Sequence, residues 1–221
     1  MLKEALTENL VKLDKKLAKA YGAKVNDRRE DAVTSLVHTI LSQNTTDRTS
    51  DRAFESLLVT FGGWEDVLAS EASRISESIR QGGLADQKAA SIKAVLQKIK
   101  DDFGRISLEH LKARPDEEAM EYLMSLKGVG PKTAACTMLF ALGKKAFPVD
   151  THVHRVANRI GLVTTKSPDE SQRLLTQAAP FSICYSLHVN MIQHGRQRCH
   201  SRGPVCAGCP AQDVCKSAGV S

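Results

Sequence analysis

Lys132 and Asp150 are the residues whose types and settings point to chemistry at carbon. Lys132 follows the glycine pair of LKGVGPKTAA (126–135). It opens an apolar-periodic run of Ala134, Ala135, Met138, Leu139 and Leu142. An amine in the first helical turn meets the positive end of the macrodipole, a setting that favours the free base. A free amine is a nucleophile that forms Schiff bases, and an iminium draws electrons from its neighbouring carbons. Asp150, in FPVDTHVHRVANR (147–159), precedes Val153, Val156, Ala157 and Ile160, so it reads as a helix N-cap bearing a carboxylate. From spacing alone, the pair could equally be a solvated lysine and a structural cap.

The residues before Lys132 suggest what it would act on. Gly128, Val129 and Gly130 join two helical runs, EEAMEYLMSL and TAACTMLFAL, and read as a helix–hairpin–helix turn. Pro131 suits the first position of the second helix, where no intrahelical donor is lost. Amides of such a turn, set at a helix N-terminus, form an anion site, and on a basic protein a DNA phosphate is the obvious anion. Near the C-terminus, Cys199, Cys206, Cys209 and Cys215 gather within 17 residues. Four thiolates in a short loop suit one metal centre. A zinc ion is the chemical rival, although only one C-x2-C pair is present. Arg196, Arg198, Arg202 and Lys216 surround these cysteines as a basic loop that could meet a DNA backbone.

Composition sets the frame for these sites. The chain of 221 residues is 42% hydrophobic and 25% charged, which excludes global disorder. Its net charge of +6 favours a polyanionic partner. Nothing approaches the run of about 18 apolar residues that a membrane span requires. The N-terminal segment is amphipathic but carries Glu4, Glu8 and Asp14 and has no apolar core, so no targeting signal is expected. The protein is expected in the cytoplasm, associated with the nucleoid, with its cysteines reduced or metal-bound.

The elements that must position these residues all read as helices. Leu2, Leu6, Leu10, Leu13 and Leu17 form the stripe of a first helix ended by Gly22. Residues 24–30 read as a connector. Ala32 to Leu41 form a strongly apolar helix running into SQNTTD (42–47), where Thr45 or Thr46 caps the next. Short helices are expected around 64–69 and 71–80. Gly82-Gly83-Leu84-Ala85 is a turn into a long helix with Ile92, Val95, Leu96, Ile99 and Phe103 on one face. Ser167 to Glu170 make a capping box, and a last helix is expected over 182–194, ending at His194-Gly195. Cys136 and Cys184 fall within helical periodicity and read as core. No stretch alternates as a strand would, so the fold class is all-α.

LKGVGPKTAA, VDTHVHRVANR and the four-cysteine cluster together resemble the endonuclease III family of helix–hairpin–helix DNA glycosylases, collinearly from about residue 30 to the end. The resemblance implies two helical lobes: a six-helix barrel over 25–144, and an iron–sulfur domain of 1–24 with 145–221, with the DNA cleft between them. It implies a bifunctional glycosylase and abasic-site lyase that removes oxidised pyrimidines from damaged double-stranded DNA, acting as a monomer. Lys132 would be the nucleophile, Asp150 its assistant, and the four cysteines the ligands of a [4Fe-4S] cluster. Leu84 and either Asn44 or Gln43 would enter the opened duplex. Gly128, Val129, Gly130, His152 and Arg196 would contact DNA. Many relatives carry a gap-filling glutamine where Asn44 stands, and proline and arginine where Lys127 and Pro131 stand. Two alternatives remain open from the residues: a monofunctional mismatch (adenine or uracil/thymine) glycosylase, and a non-catalytic module that binds distorted DNA.

Overall fold

Apolar residues at three- and four-residue spacing become helices throughout the computed structural model. No strand occurs among the described residues, 2–27 and 30–218. The first helix, α1 (Leu2–Tyr21), belongs with the second part of the chain. The chain separates into two compact units, Arg29–Lys144 and Met1–Arg28 with Lys145–Ser221.

The Arg29–Lys144 unit contains α2 (Ala32–Leu41), α3 (Asp47–Thr60), α4 (Trp64–Ala69), α5 (Ala72–Ser78), α6 (Ala85–Phe103), α7 (Asp116–Ser125) and α8 (Pro131–Phe140). Its centre is α2 against α8. Val33, Leu36, Val37, Ile40 and Leu41 of α2, and Ala134, Ala135, Cys136 and Met138 of α8, are buried. A helix that is apolar on nearly every side has to lie inside its domain. Asp31 caps α2 by accepting from the Val33 and Thr34 amides, at 3.0 and 3.1 Å. Of the two candidate caps for α3 it is Thr46 that serves, its hydroxyl accepting from the Thr49 amide at 3.3 Å. Of the expected face of α6, Ile92, Val95, Leu96 and Ile99 are fully buried and Phe103 is half-buried.

In the other unit, α1 packs on α11 (Phe181–Gln197), and α9 (Thr151–Ile160) packs on α11 and on α10 (Pro168–Ala178). Leu10, Leu13 and Leu17 are fully buried, Leu6 is partly so, and the side chain of Leu2 lies outside the described residues. Gly22 ends α1 with φ +84°. Ser167 caps α10, accepting from the Glu170 amide at 3.2 Å. The last helix runs past His194-Gly195 to Gln197, beyond its expected end. Gly195 serves packing, not termination. A Cβ there would lie 3.0 Å from the Cβ of His152, so glycine is what admits α9 this close. Cys184 is buried, and burial pushes its thiol up to about 11.

Candidate functional site

Within Arg29–Lys144, the hairpin between α7 and α8 is built as its glycines require. Gly128 has φ +82°, and a Cβ on it would meet Ser91 Oγ at 3.0 Å. Both facts disfavour a larger residue. Gly130 is the N-cap of α8, and Pro131 takes the first helical position. Lys132 follows, half-buried, beside the buried Thr133. Gly128 and Gly130 are exposed, but Val129 is buried and its N–H bonds the Leu126 carbonyl at 3.1 Å. Val129 therefore anchors the hairpin from below.

Two further loops of the same unit bear on the site, and the first of them bonds the hairpin. Gln43 Nε2 donates to Gly128 O and to Thr133 Oγ1, both at 3.2 Å. The amide of Gln43 is thus engaged by the hairpin, while Asn44 is exposed with φ +54°. Leu84, just before α6, is 53% exposed with φ +52°. Asn44 and Leu84 are the only non-glycine residues with positive φ among the described residues. Left-handed backbone costs about 1–2 kcal/mol in an L-residue, most clearly for leucine, and persists only where surrounding contacts impose it.

Asp150 lies in the other unit, at the end of an extended run that α10 and α11 hold by its backbone. Phe147 N donates to Thr176 Oγ1 at 3.1 Å and Val149 N to Gln172 Oε1 at 3.2 Å. His188 Nδ1 donates to Pro148 O at 2.8 Å. Asp150 then caps α9, one carboxylate oxygen accepting from Val153 N at 2.7 Å. That leaves its second oxygen for other work. His152, next but one, shares a 3.1 Å contact with Arg155 Nη2 through Nδ1. His154 is taken by packing, with Nδ1 2.7 Å from Ser171 Oγ.

All four clustered cysteines line one cavity of about 220 Å³, with Arg159, His194 and Arg198 in its wall. Burial and the neighbouring sulfurs push the thiols of Cys209 and Cys215 upward. Thiolates would therefore need compensating positive charge here. Arg159 supplies some: Nη1 lies 3.5 Å from Cys199 Sγ and also bonds His200 O, and Nη2 bonds Ser201 O at 2.9 Å. Arg155 Nε bonds Cys199 O at 2.9 Å, so α9 carries Asp150 at one end and braces the cysteine loop with the rest. His194, pushed down to about 4 by burial and Arg198, faces Cys209 Sγ at 3.8 Å as a neutral ring. Among the basic residues nearby, Arg196 and Arg202 are exposed. Arg198 turns to Ala207 O at 3.1 Å, and the stem of Lys216 lies over Gly161. Sequence reasoning missed Gln172, His188, Arg155 and Arg159, whose partners are distant along the chain.

The model of the HhH-GPD superfamily of base excision DNA repair proteins matches residues 37–181. The chain belongs to that superfamily. It is 30% identical over 192 residues to endonuclease III of Thermotoga maritima, covering 86% of this chain and 85% of that one. A relative from Arabidopsis thaliana is 39% identical over 188 residues, covering 84% of this chain, which spans 61% of that relative's length. In three dimensions the chain matches an endonuclease III solved in a non-covalent complex with DNA, with TM-score 0.80, 27% identity and 96% of each chain covered. The all-α architecture is that of endonuclease III. No helix among the described residues is long and apolar enough to cross a membrane.

Proposed function

We propose that this protein is a bifunctional DNA glycosylase and abasic-site lyase of base excision repair that acts on oxidised pyrimidines in duplex DNA. The observation that carries the reading is Lys132, an amine half-buried in the first turn of α8 directly after the hairpin. Its lone pair attacks C1′ of the damaged nucleotide. The glycosidic bond breaks, and the base leaves with that bond's electrons and takes up a proton. Loss of the amine proton and opening of the sugar ring leave an iminium at C1′. Removal of a C2′ proton then expels the 3′ phosphate, because the iminium accepts the electron pair. Water at C1′ would leave a hemiacetal, whose open aldehyde is a weaker sink that needs alkali for elimination, so one amine accounts for both steps. Asp150 accepts the proton that the attacking amine sheds, or offsets the cation developing on the sugar. The exposed amides of Gly128 and Gly130 grip a phosphate, and Leu84 and Asn44 occupy the space vacated in the duplex. His152 and the exposed Arg196 complete the DNA contacts proposed here.

The cofactor proposed for the cysteine cavity is a [4Fe-4S] cluster, which Cys199, Cys206, Cys209 and Cys215 would hold. Support comes from the four-sulfur donor set on one cavity and the guanidinium of Arg159 beside Cys199. Such a cluster would fold the loop and orient its cations, a structural and electrostatic contribution. Protein purified without oxygen is expected to be brown and to carry about four irons per chain. Cys206→Ser is expected to lose both colour and iron. Stoichiometric zinc in the wild type would contradict this assignment.

The reaction class is tested by the products from a thymine glycol duplex. Strand breaks ending in the unsaturated aldehyde of β-elimination, without alkali, are expected. Free base with an intact strand that alkali alone cleaves would point to a water-using glycosylase.

A further inference from the structure

We propose that Lys88 is a positioning residue that sets both loops proposed to enter the duplex; the inference rests on the glycosylase reading above. Lys88 lies in the first turn of α6 and is 3% exposed. Its Nζ donates to Leu41 O at 2.7 Å and to Gly82 O at 2.9 Å. Leu41 is the last residue of α2, so its carbonyl is one that the helix leaves unbonded, at the negative end of the dipole. Gln43 and Asn44 follow after Ser42. Gly82 opens the turn that presents Leu84, whose carbonyl accepts the first intrahelical bond of α6, from the Lys88 N–H at 2.9 Å.

One buried ammonium thus ties together the roots of two loops that meet nowhere in the sequence. Those loops carry the two left-handed non-glycine residues, Asn44 and Leu84. Strain of that kind lasts only where the surroundings over-determine the backbone. Gln43 supplies part of the restraint through the hairpin, and Lys88 supplies the part shared by both loops. Burial disfavours the charge on Lys88, and two carbonyl dipoles hold it there. A methionine would fill the space and leave both carbonyls without that donor. Leu84 and Asn44 could then relax to ordinary backbone angles, while Lys132 and its hairpin stayed in place.

The test is the rate of borohydride trapping on an abasic-site strand, alone and annealed to its complement. A single strand needs no wedge, and the duplex-to-single-strand ratio cancels the fraction of protein that is folded. Lys88→Met is expected to lower that ratio at least about tenfold, toward the hundredfold that a misplacement of about 1 Å costs. Leu84→Ala should lower it in the same direction, and the double variant should fall no further than Lys88→Met alone. Lys88→Leu, which likewise has no donor, carries the same expectation should the methionine variant prove insoluble. Equal losses on both substrates, or no loss, would overturn the positioning role. No adduct from wild type on either substrate would overturn the glycosylase reading, and this inference with it.

Discussion

Lys132→Gln is expected to abolish base release and strand cleavage together, to below detection on a thymine glycol duplex. Both steps run through one nitrogen, so neither survives its loss. Glutamine keeps much of the length of the side chain and its capacity to hydrogen-bond but has no nucleophilic lone pair. The variant should therefore still bind a duplex carrying a tetrahydrofuran abasic analogue nearly as tightly as wild type. The position itself tolerates the change, since Lys132 is only half-buried at the start of α8 and Pro131 and Gly130 set the helix start. Base release that persisted in Lys132→Gln while strand cleavage vanished would assign the first step to water.

The second large effect separates the two roles of one carboxylate. Asp150 caps α9 through a 2.7 Å bond to Val153 N, and asparagine caps helices about as well as aspartate. Asp150→Asn should therefore melt close to wild type. Its kcat should nevertheless fall by about 10² to 10⁴, the usual contribution of a positioned acid or base. Asp150→Ala should lose activity and, in addition, about 1 kcal/mol of stability from the missing cap. For a chain of this size that amounts to about 2–4 °C in Tm. If Asp150→Asn kept wild-type turnover, the carboxylate would be a cap and nothing more.

Local signals in the sequence account for much of this arrangement. The glycine pair, Pro131 and the apolar run after it specify the hairpin and the start of α8. Asp150 ahead of Val153 and Val156 specifies a cap. Both depend on residues a few positions apart, and both are seen in the structure. What stayed hidden depends on contacts between distant segments. Nothing in the local sequence marks Lys88, whose ammonium lies between Leu41 and Gly82. Gln172 and His188, which hold the run leading to Asp150, carry no signal in their own neighbourhoods. Gly195 misled for the same reason. Glycine near a helical run suggests termination, whereas here α9 packs against it and the helix continues. Val129 looked like a hairpin contact by position, but an apolar side chain between two exposed glycines turns inward.

The most direct test of the central claim is borohydride reduction of wild-type protein on a thymine glycol duplex, followed by digestion and mapping of the cross-linked peptide by mass spectrometry. A covalent protein–DNA adduct carried on Lys132 is expected. An adduct on a different residue, or none from iron-loaded protein that binds the duplex, would contradict the claim.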